Sequence, residues 1–141
     1  MPLNSEAIRA MALGIIKNDK NQILVSPGYD KIKNEHFYRL LGGGVDFGET
    51  SEVALKREFM EELNIELTNC KLLDVVENIF TFDGLTGHEI CFIYSADFVD
   101  KKMYEQSEFK IIDSEDEGRV IWLDLSQKGD DPIYPDVSAW L

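Results

Sequence analysis

GGVDFGETSEVALKREFMEELNI, residues Gly43 to Ile65, sets a glycine turn, a helix start and a row of glutamates in one fixed register. Five residues separate Gly43 from Glu49 and seven separate Glu49 from Arg57, after which Arg57-Glu58 and Glu61-Glu62 follow within one short run. At about 100° per residue the pattern predicts a helix over 51–63 with two faces. Val53, Leu55, Phe59, Met60 and Leu63 fall on an apolar arc, whereas Glu58, Glu61 and Glu62 gather on another with only Ala54 among them. One side is expected to pack and the other to bind. Like charges at i,i+3 and i,i+4 cost a helix about a few tenths of a kcal/mol per pair, so a cation is expected among the carboxylates. An open face of oxygen ligands suits Mg²⁺, which binds through one or two carboxylates plus substrate phosphates and keeps several waters.

The flanks of this helix fit the same task. Leu41-Gly42-Gly43-Gly44 reads as a loop able to turn sharply, approach a ligand closely and point carbonyls at a metal. Thr50 or Ser51 can cap the first turn, and Glu49 lies where the positive end of the helix dipole favours an anion. Asn64 stands where a left-handed residue is wanted to end the helix.

The chain has 141 residues, a length that gives one domain, 1–141, with a core that needs no staples. Its formal charge of −13 argues against a long nucleic acid or an anionic membrane as partner, since both require a basic surface. A small anionic substrate would have to come with metal. Cys70 and Cys91 are too few for a disulfide framework and read as buried free thiols, which suggests a reducing cytoplasm. No basic, apolar leader opens the sequence, and no run approaches the roughly 20 apolar residues of a membrane span.

The remaining segments read as strands with short punctuation. Strands are expected over 7–17 and 22–26, joined through Asn18-Asp19-Lys20-Asn21, and over 37–41 leading into the glycines. Residues 72–82 and 88–99 are expected to form a hairpin across 83–87, with a last strand over 119–125 and a short terminal helix from Asp136. The fold class is therefore mixed α/β, in the α+β sense, with strands outnumbering helices.

The glycine, Glu49, Arg57-Glu58 and Glu61-Glu62 register resembles the Nudix box, and the chain resembles a Nudix hydrolase of the MutT-like pyrophosphohydrolase kind. The box covers residues 43–65. The resemblance implies an α/β/α sandwich with a mixed sheet and a glycine-loop–helix–loop motif. It implies hydrolysis of a nucleoside diphosphate linked to another moiety, either a nucleotide sugar such as ADP-ribose or a nucleoside triphosphate, with Mg²⁺ or Mn²⁺ as cofactor. Glu58 and Glu62 match the principal metal-binding glutamates, Glu61 a further ligand or water-activating residue, and Glu49 a supporting acid. Arg57 matches an orienting partner for the carboxylates, and a carbonyl of Gly42 or Gly43 is implied in the metal shell. A homodimer is also consistent with the resemblance. A catalytically inert nucleotide-sensing module is the alternative, although it has no need of all these carboxylates.

Outside the box the signals thin out. The resemblance implies one more acid in a loop before a late strand, and Glu117 is the first choice and Glu115 the second within Ser114-Glu115-Asp116-Glu117-Gly118. A solvated acidic loop explains that run equally well. Arg39 offers a phosphate contact or a surface charge. Phe80 or Phe82 offers a stacking ring or a core side chain, and Tyr134 a pocket wall from the tail.

Overall fold

Residues with alternating burial build most of the molecule, and they assemble into one mixed eight-stranded sheet. The structure, a computed structural model, describes residues 7–112 and 118–141. In chain order the elements are β1 (Ile8–Ile15), β2 (Gln22–Asp30), β3 (Glu35–Gly44), α1 (Ser51–Leu63), β4 (Leu67–Phe82), β5 (Leu85–Phe98), a 3₁₀ helix (Lys101–Glu105), β6 (Glu108–Lys110), β7 (Arg119–Asp124), β8 (Ile133–Tyr134) and a 3₁₀ turn (Ser138–Trp140). The sheet order is β4-β5-β1-β3-β2-β7-β6, with β8 added to β3. β1 runs parallel to β5 and β8 parallel to β3, while the other pairs are antiparallel.

Successive residues of β1 and β2 enter two different apolar clusters, as a strand's two-residue period requires. Ala12, Ile16, Leu24 and Leu41 pack with Ala54, Leu55 and Phe59 of α1. Leu13, Ile15, Ile23, Val25, Leu40, Cys91 and Ile93 face the other way and are closed over by Val137 from the tail. The mixed sheet and the box helix implied by the resemblance are thus present. Among the described residues, the second outer layer is the tail and its 3₁₀ turn, in place of the terminal helix expected from Asp136.

β3 is the joint of the architecture. Residues 35–40 pair with β2, and residues 41–44 pair with β1. At the changeover Gly42 has φ +149, and a side chain there would run into the Ala12 carbonyl oxygen and lie 2.9 Å from Leu13 Cα. Only glycine fits both demands. The glycines read as a loop are therefore the last residues of a strand, because β1 supplies them with a pairing partner that local sequence does not reveal.

The helix also corrects an expectation. Ala54, Leu55 and Phe59 are buried, but Val53 and Met60, read as packing residues, are 52% and 44% exposed. At about 100° per residue the arc from Ala54 to Phe59 contains Glu58 and Glu62. The packing face and the carboxylate face overlap. The small residues underneath allow this: a Cβ on Gly14 of β1 would sit 3.5 Å from both Leu55 and Phe59, so the helix lies close to the sheet on its Ala54 side. Of the cysteines, Cys91 is buried, with its thiol pushed up to about 12 by desolvation, whereas Cys70 is only partly covered. No helix among the described residues is long and apolar enough to cross a membrane.

Candidate active site

Helix α1 is fixed at both ends by its sequence. Thr50 caps it by accepting the Val53 N–H through Oγ1 at 3.2 Å, and Asn64 closes it in the left-handed conformation (φ 55, ψ 41), its N–H donating to the Met60 carbonyl at 3.0 Å. Its carboxylates are thereby held above the end of β3.

Arg57 organises them. Its guanidinium donates through Nε to Glu49 Oε2 (3.1 Å) and through Nη2 to Glu49 Oε1 (2.6 Å), a forked, two-point grip. Nη1 reaches Glu58 Oε1 at 3.0 Å and Glu61 Oε2 at 3.2 Å, and Nη2 also donates to the Gly44 carbonyl at 2.9 Å. The Arg57 hydrogen bonds hold the Glu49 carboxyl below the usual range, helped by the Asp46 N–H, and the same partnership pushes the guanidinium still higher. Asp46 Oδ2 completes the ring 3.4 Å from Nη2. Asp46 was missed by the sequence reading; the only signal was its place in the turn three residues before Glu49.

Glu58 and Glu62 form the inner pair. A Cβ on Gly43 would lie 2.5 and 2.6 Å from the Glu58 oxygens, so the carboxylate occupies the space that the missing side chain leaves. Burial pushes the Glu62 carboxyl up to about 7, and the charge of Glu58 and a hydrogen bond between the two add to the rise. Two neighbouring carboxylates whose charges oppose each other could hold a cation between them. Glu61 stands apart: its side chain is 59% exposed, against 15% for Glu58, and its contact is with Arg57. Among the described residues no group of three or more His, Cys, Asp or Glu side chains is arranged to hold a metal ion. The arrangement is an open two-carboxylate site beside the Gly42 and Gly43 backbone.

The residues named outside the box divide. Arg39, exposed on β3 and register partner of Tyr134, is near enough for its charge to oppose the rise in the Glu62 pKa. Tyr134 belongs to an aromatic group, with Phe37 at 5.7 Å from both Phe82 and Tyr134, and its hydroxyl donates to Glu35 Oε1 at 3.0 Å. Phe80 lies across Gly87 of β5, where a Cβ would meet its Cε1 at 2.7 Å. Glu115 and Glu117 lie outside the described residues. The chain leading into that segment is anchored at the helix, since the Ile112 N–H donates to the Glu62 carbonyl at 2.7 Å.

Comparisons with known proteins agree with this geometry. The model of the NUDIX domain matches residues 8–141. The 8-oxo-dGTP diphosphatase of Proteus vulgaris is 36% identical over 70 residues, which span 50% of this chain and 62% of that protein. The RNA pyrophosphohydrolase of Ruthia magnifica is 35% identical over 71 residues, 50% of this chain and 37% of its own length. The chain thus spans less than two thirds of the curated relatives it matches. Among solved structures, a MutT NUDIX hydrolase from Burkholderia pseudomallei superposes with a TM-score of 0.62 at 27% identity, covering 86% of each chain. A NUDIX hydrolase from Nitrosomonas europaea shares the fold, with a TM-score of 0.52 at 18% identity over 67% of this chain and 61% of its own. With its domain model matched almost end to end and the box residues gathered around Arg57, the chain belongs to the NUDIX family.

Proposed function

We propose that this protein is a divalent-metal-dependent pyrophosphohydrolase that cleaves the diphosphate bond of a small nucleotide, with nucleoside triphosphates ahead of nucleotide sugars. The observation that carries the reading is the Glu58 carboxylate seated against the bare face of Gly43 and tied to Glu49 and Glu61 through Arg57. The preference for triphosphates is supported by relatives whose names specify 8-oxo-dGTP, and the charge of −13 sets a long RNA last.

The donor set fits Mg²⁺ or Mn²⁺: hard carboxylate oxygens, an open side and nearby backbone carbonyls. Glu58 and Glu62 would hold the ion, with the Gly42 or Gly43 carbonyl adjoining. When bound, the metal neutralises charge on the bridging phosphates and lowers the pKa of water. The protein's own residues position and exchange protons. Arg57 fixes the Glu58 carboxylate against Gly43, and Glu49 fixes Arg57. Glu61 is anchored to Arg57 through one oxygen and open to solvent, placed to take a proton from an attacking water. Arg39, beside Glu62, contributes positive charge where substrate phosphates would arrive.

The test is phosphate or pyrophosphate release from triphosphates, nucleotide sugars and dinucleoside polyphosphates with Mg²⁺ or Mn²⁺, beside Glu58→Gln and Glu61→Gln. Metal-dependent turnover that collapses in the variants supports the reading; silence across the panel with metal still bound shifts it to a nucleotide-sensing module. Glu117→Gln, and Glu115→Gln after it, test the extra acid: turnover should fall while the melting temperature holds, and wild-type rates would remove that residue from the mechanism. Light scattering of the purified chain tests the homodimer.

A further inference from the structure

We propose that Phe47, at the corner of the turn that leads into α1, is an outer stacking platform for a planar ring carried on the far side of the substrate's diphosphate; the proposal rests on the diphosphate-cleaving reading above.

The turn is built to hold its corner still. Val45 is tied to β1, its N–H donating to the Ala10 carbonyl at 2.9 Å, and the Glu49 N–H closes a β-turn on the Asp46 carbonyl at 3.1 Å. Gly48, the third residue of that turn, has φ +89, as a type II turn requires there. The Glu49 carboxylate adds a second closure by accepting the Asp46 N–H at 2.9 Å, while Arg57 grips Glu49 and stands 3.4 Å from Asp46. Phe47 occupies the corner between these anchors.

Its side chain has no structural task. Phe47 is 108% exposed, whereas every other large apolar side chain among the described residues is 66% exposed or less. The corner of a type II turn asks only for φ near about −60°, which proline meets best, so the turn gains nothing from a ring. A Cβ on the neighbouring Gly48 would meet nothing within 4 Å, so the space beside the ring is open. A loose loop would let an exposed ring fold back onto the protein; these hydrogen bonds keep it out.

Short contacts join the turn to the cleavage site. Asp46 Oδ2 and Glu61 Oε2 lie 3.4 and 3.2 Å from nitrogens of the one guanidinium, which also holds Glu58 Oε1 at 3.0 Å. Phe47 is thus one residue from the carboxylates gathered around Arg57. A diphosphate seated at Glu58 carries a substituent at each end, and the arm that extends toward the start of α1 passes this corner. Charge sets the class of that arm. The Asp46 side chain is 74% exposed and that of Glu61 59%, so the surroundings of the ring repel further phosphates and accept an uncharged or cationic planar group. Stacking on a flat face tolerates any base, since each has a π-face. A triphosphate lacks such a group and uses the site without the platform; a nucleoside diphosphate joined to a second ring gains from it.

ADP-ribose and diadenosine diphosphate make a matched pair, because the second carries adenine on its distal ribose where the first carries a hydroxyl. With a methylene group in place of the bridging oxygen neither is cleaved. The experiment measures by calorimetry, in Mg²⁺, the binding of these two analogues to wild type, Phe47→Ala and Phe47→Trp. Wild type should favour the diadenosine ligand by about tenfold, toward the lower end for one stacked base. Phe47→Ala should bring that ratio close to one, and Phe47→Trp should restore it. Equal wild-type affinities, a measurement that needs no variant, would overturn the platform. A preference that survives in folded Phe47→Ala would also overturn it, because the second ring would then stack elsewhere. The ratio is read without turnover, so the two readings fail differently: no cleavage of any natural diphosphate defeats the hydrolase, and no preference for the second ring defeats the platform alone.

Discussion

A methyl group added at Gly43 should disable the site and leave the fold intact, whereas the same methyl at Gly42 should do the reverse. In the Gly43→Ala protein the new Cβ would begin 2.5 Å from a Glu58 oxygen and nearer still to Glu58 Cδ, and ordinary contact starts at 3.4 Å, so the carboxylate must retreat by at least about 0.9 Å (3.4 less 2.5). The obstructing atoms end a flexible side chain, so the backbone need not move. A misplacement approaching 1 Å at a catalytic centre costs on the order of tenfold to a hundredfold in rate. At Gly42 the obstructing atoms are backbone, the Ala12 carbonyl and Leu13 Cα, and φ is +149. Relief there must come from the β1–β3 ladder, at a cost of about 2–4 kcal/mol. The assay pairs kcat under saturating Mg²⁺ with thermal melting. Gly43→Ala should lose turnover with a melting temperature within about 2 °C of wild type, and Gly42→Ala should melt on the order of 10 °C lower. Wild-type kcat and metal dependence in Gly43→Ala would refute the argument that Glu58 works from the space beside Gly43.

Arg57→Lys keeps the positive charge but loses the fork that grips Glu49 at two points while holding Glu58 and Glu61; turnover should fall by about tenfold to a hundredfold with the circular dichroism spectrum unchanged. In metal-free protein, ¹³C NMR should find the Glu62 carboxyl titrating near 7, raised first by burial and then by Glu58. A carboxyl raised in the folded state makes that state the stronger proton binder, so its contribution favours folding at low pH and is lost as pH rises from about 4.5 through about 7. Mg²⁺ affinity should rise across the same window, as the metal displaces the proton. Asn64→Ala should destabilise by about 1 kcal/mol, because it keeps φ 55 without the tolerance of Asn, while Asn64→Gly should melt no lower than wild type.

The box was legible because its chemistry is local. Arg57 meets Glu58 and Glu61 within about one helical turn, and the cap residues Thr50 and Asn64 act on the turns beside them, so spacing alone predicts the contacts. The apolar arc was less legible. Periodicity grouped Val53 and Met60 with Leu55, and only the small residues of the sheet, Gly14 and Gly43, determine that α1 settles on its Ala54 side. The strand boundaries drifted for a related reason: β3 extends through the glycines because β1 is there to pair with them.

By itself the sequence determined the helix, its caps, the register of its carboxylates and the mixed character of the sheet, since each follows from residues a few positions apart. The tertiary structure decided what lies opposite those carboxylates. Glu62 is raised because the sheet strips its water, Asp46 matters because the turn brings it back to Arg57, and Glu89 meets Arg9 and Asn78 because three strands distant in sequence are neighbours in the sheet. Pairing between strands depends on the whole chain's packing, and no local pattern encodes it.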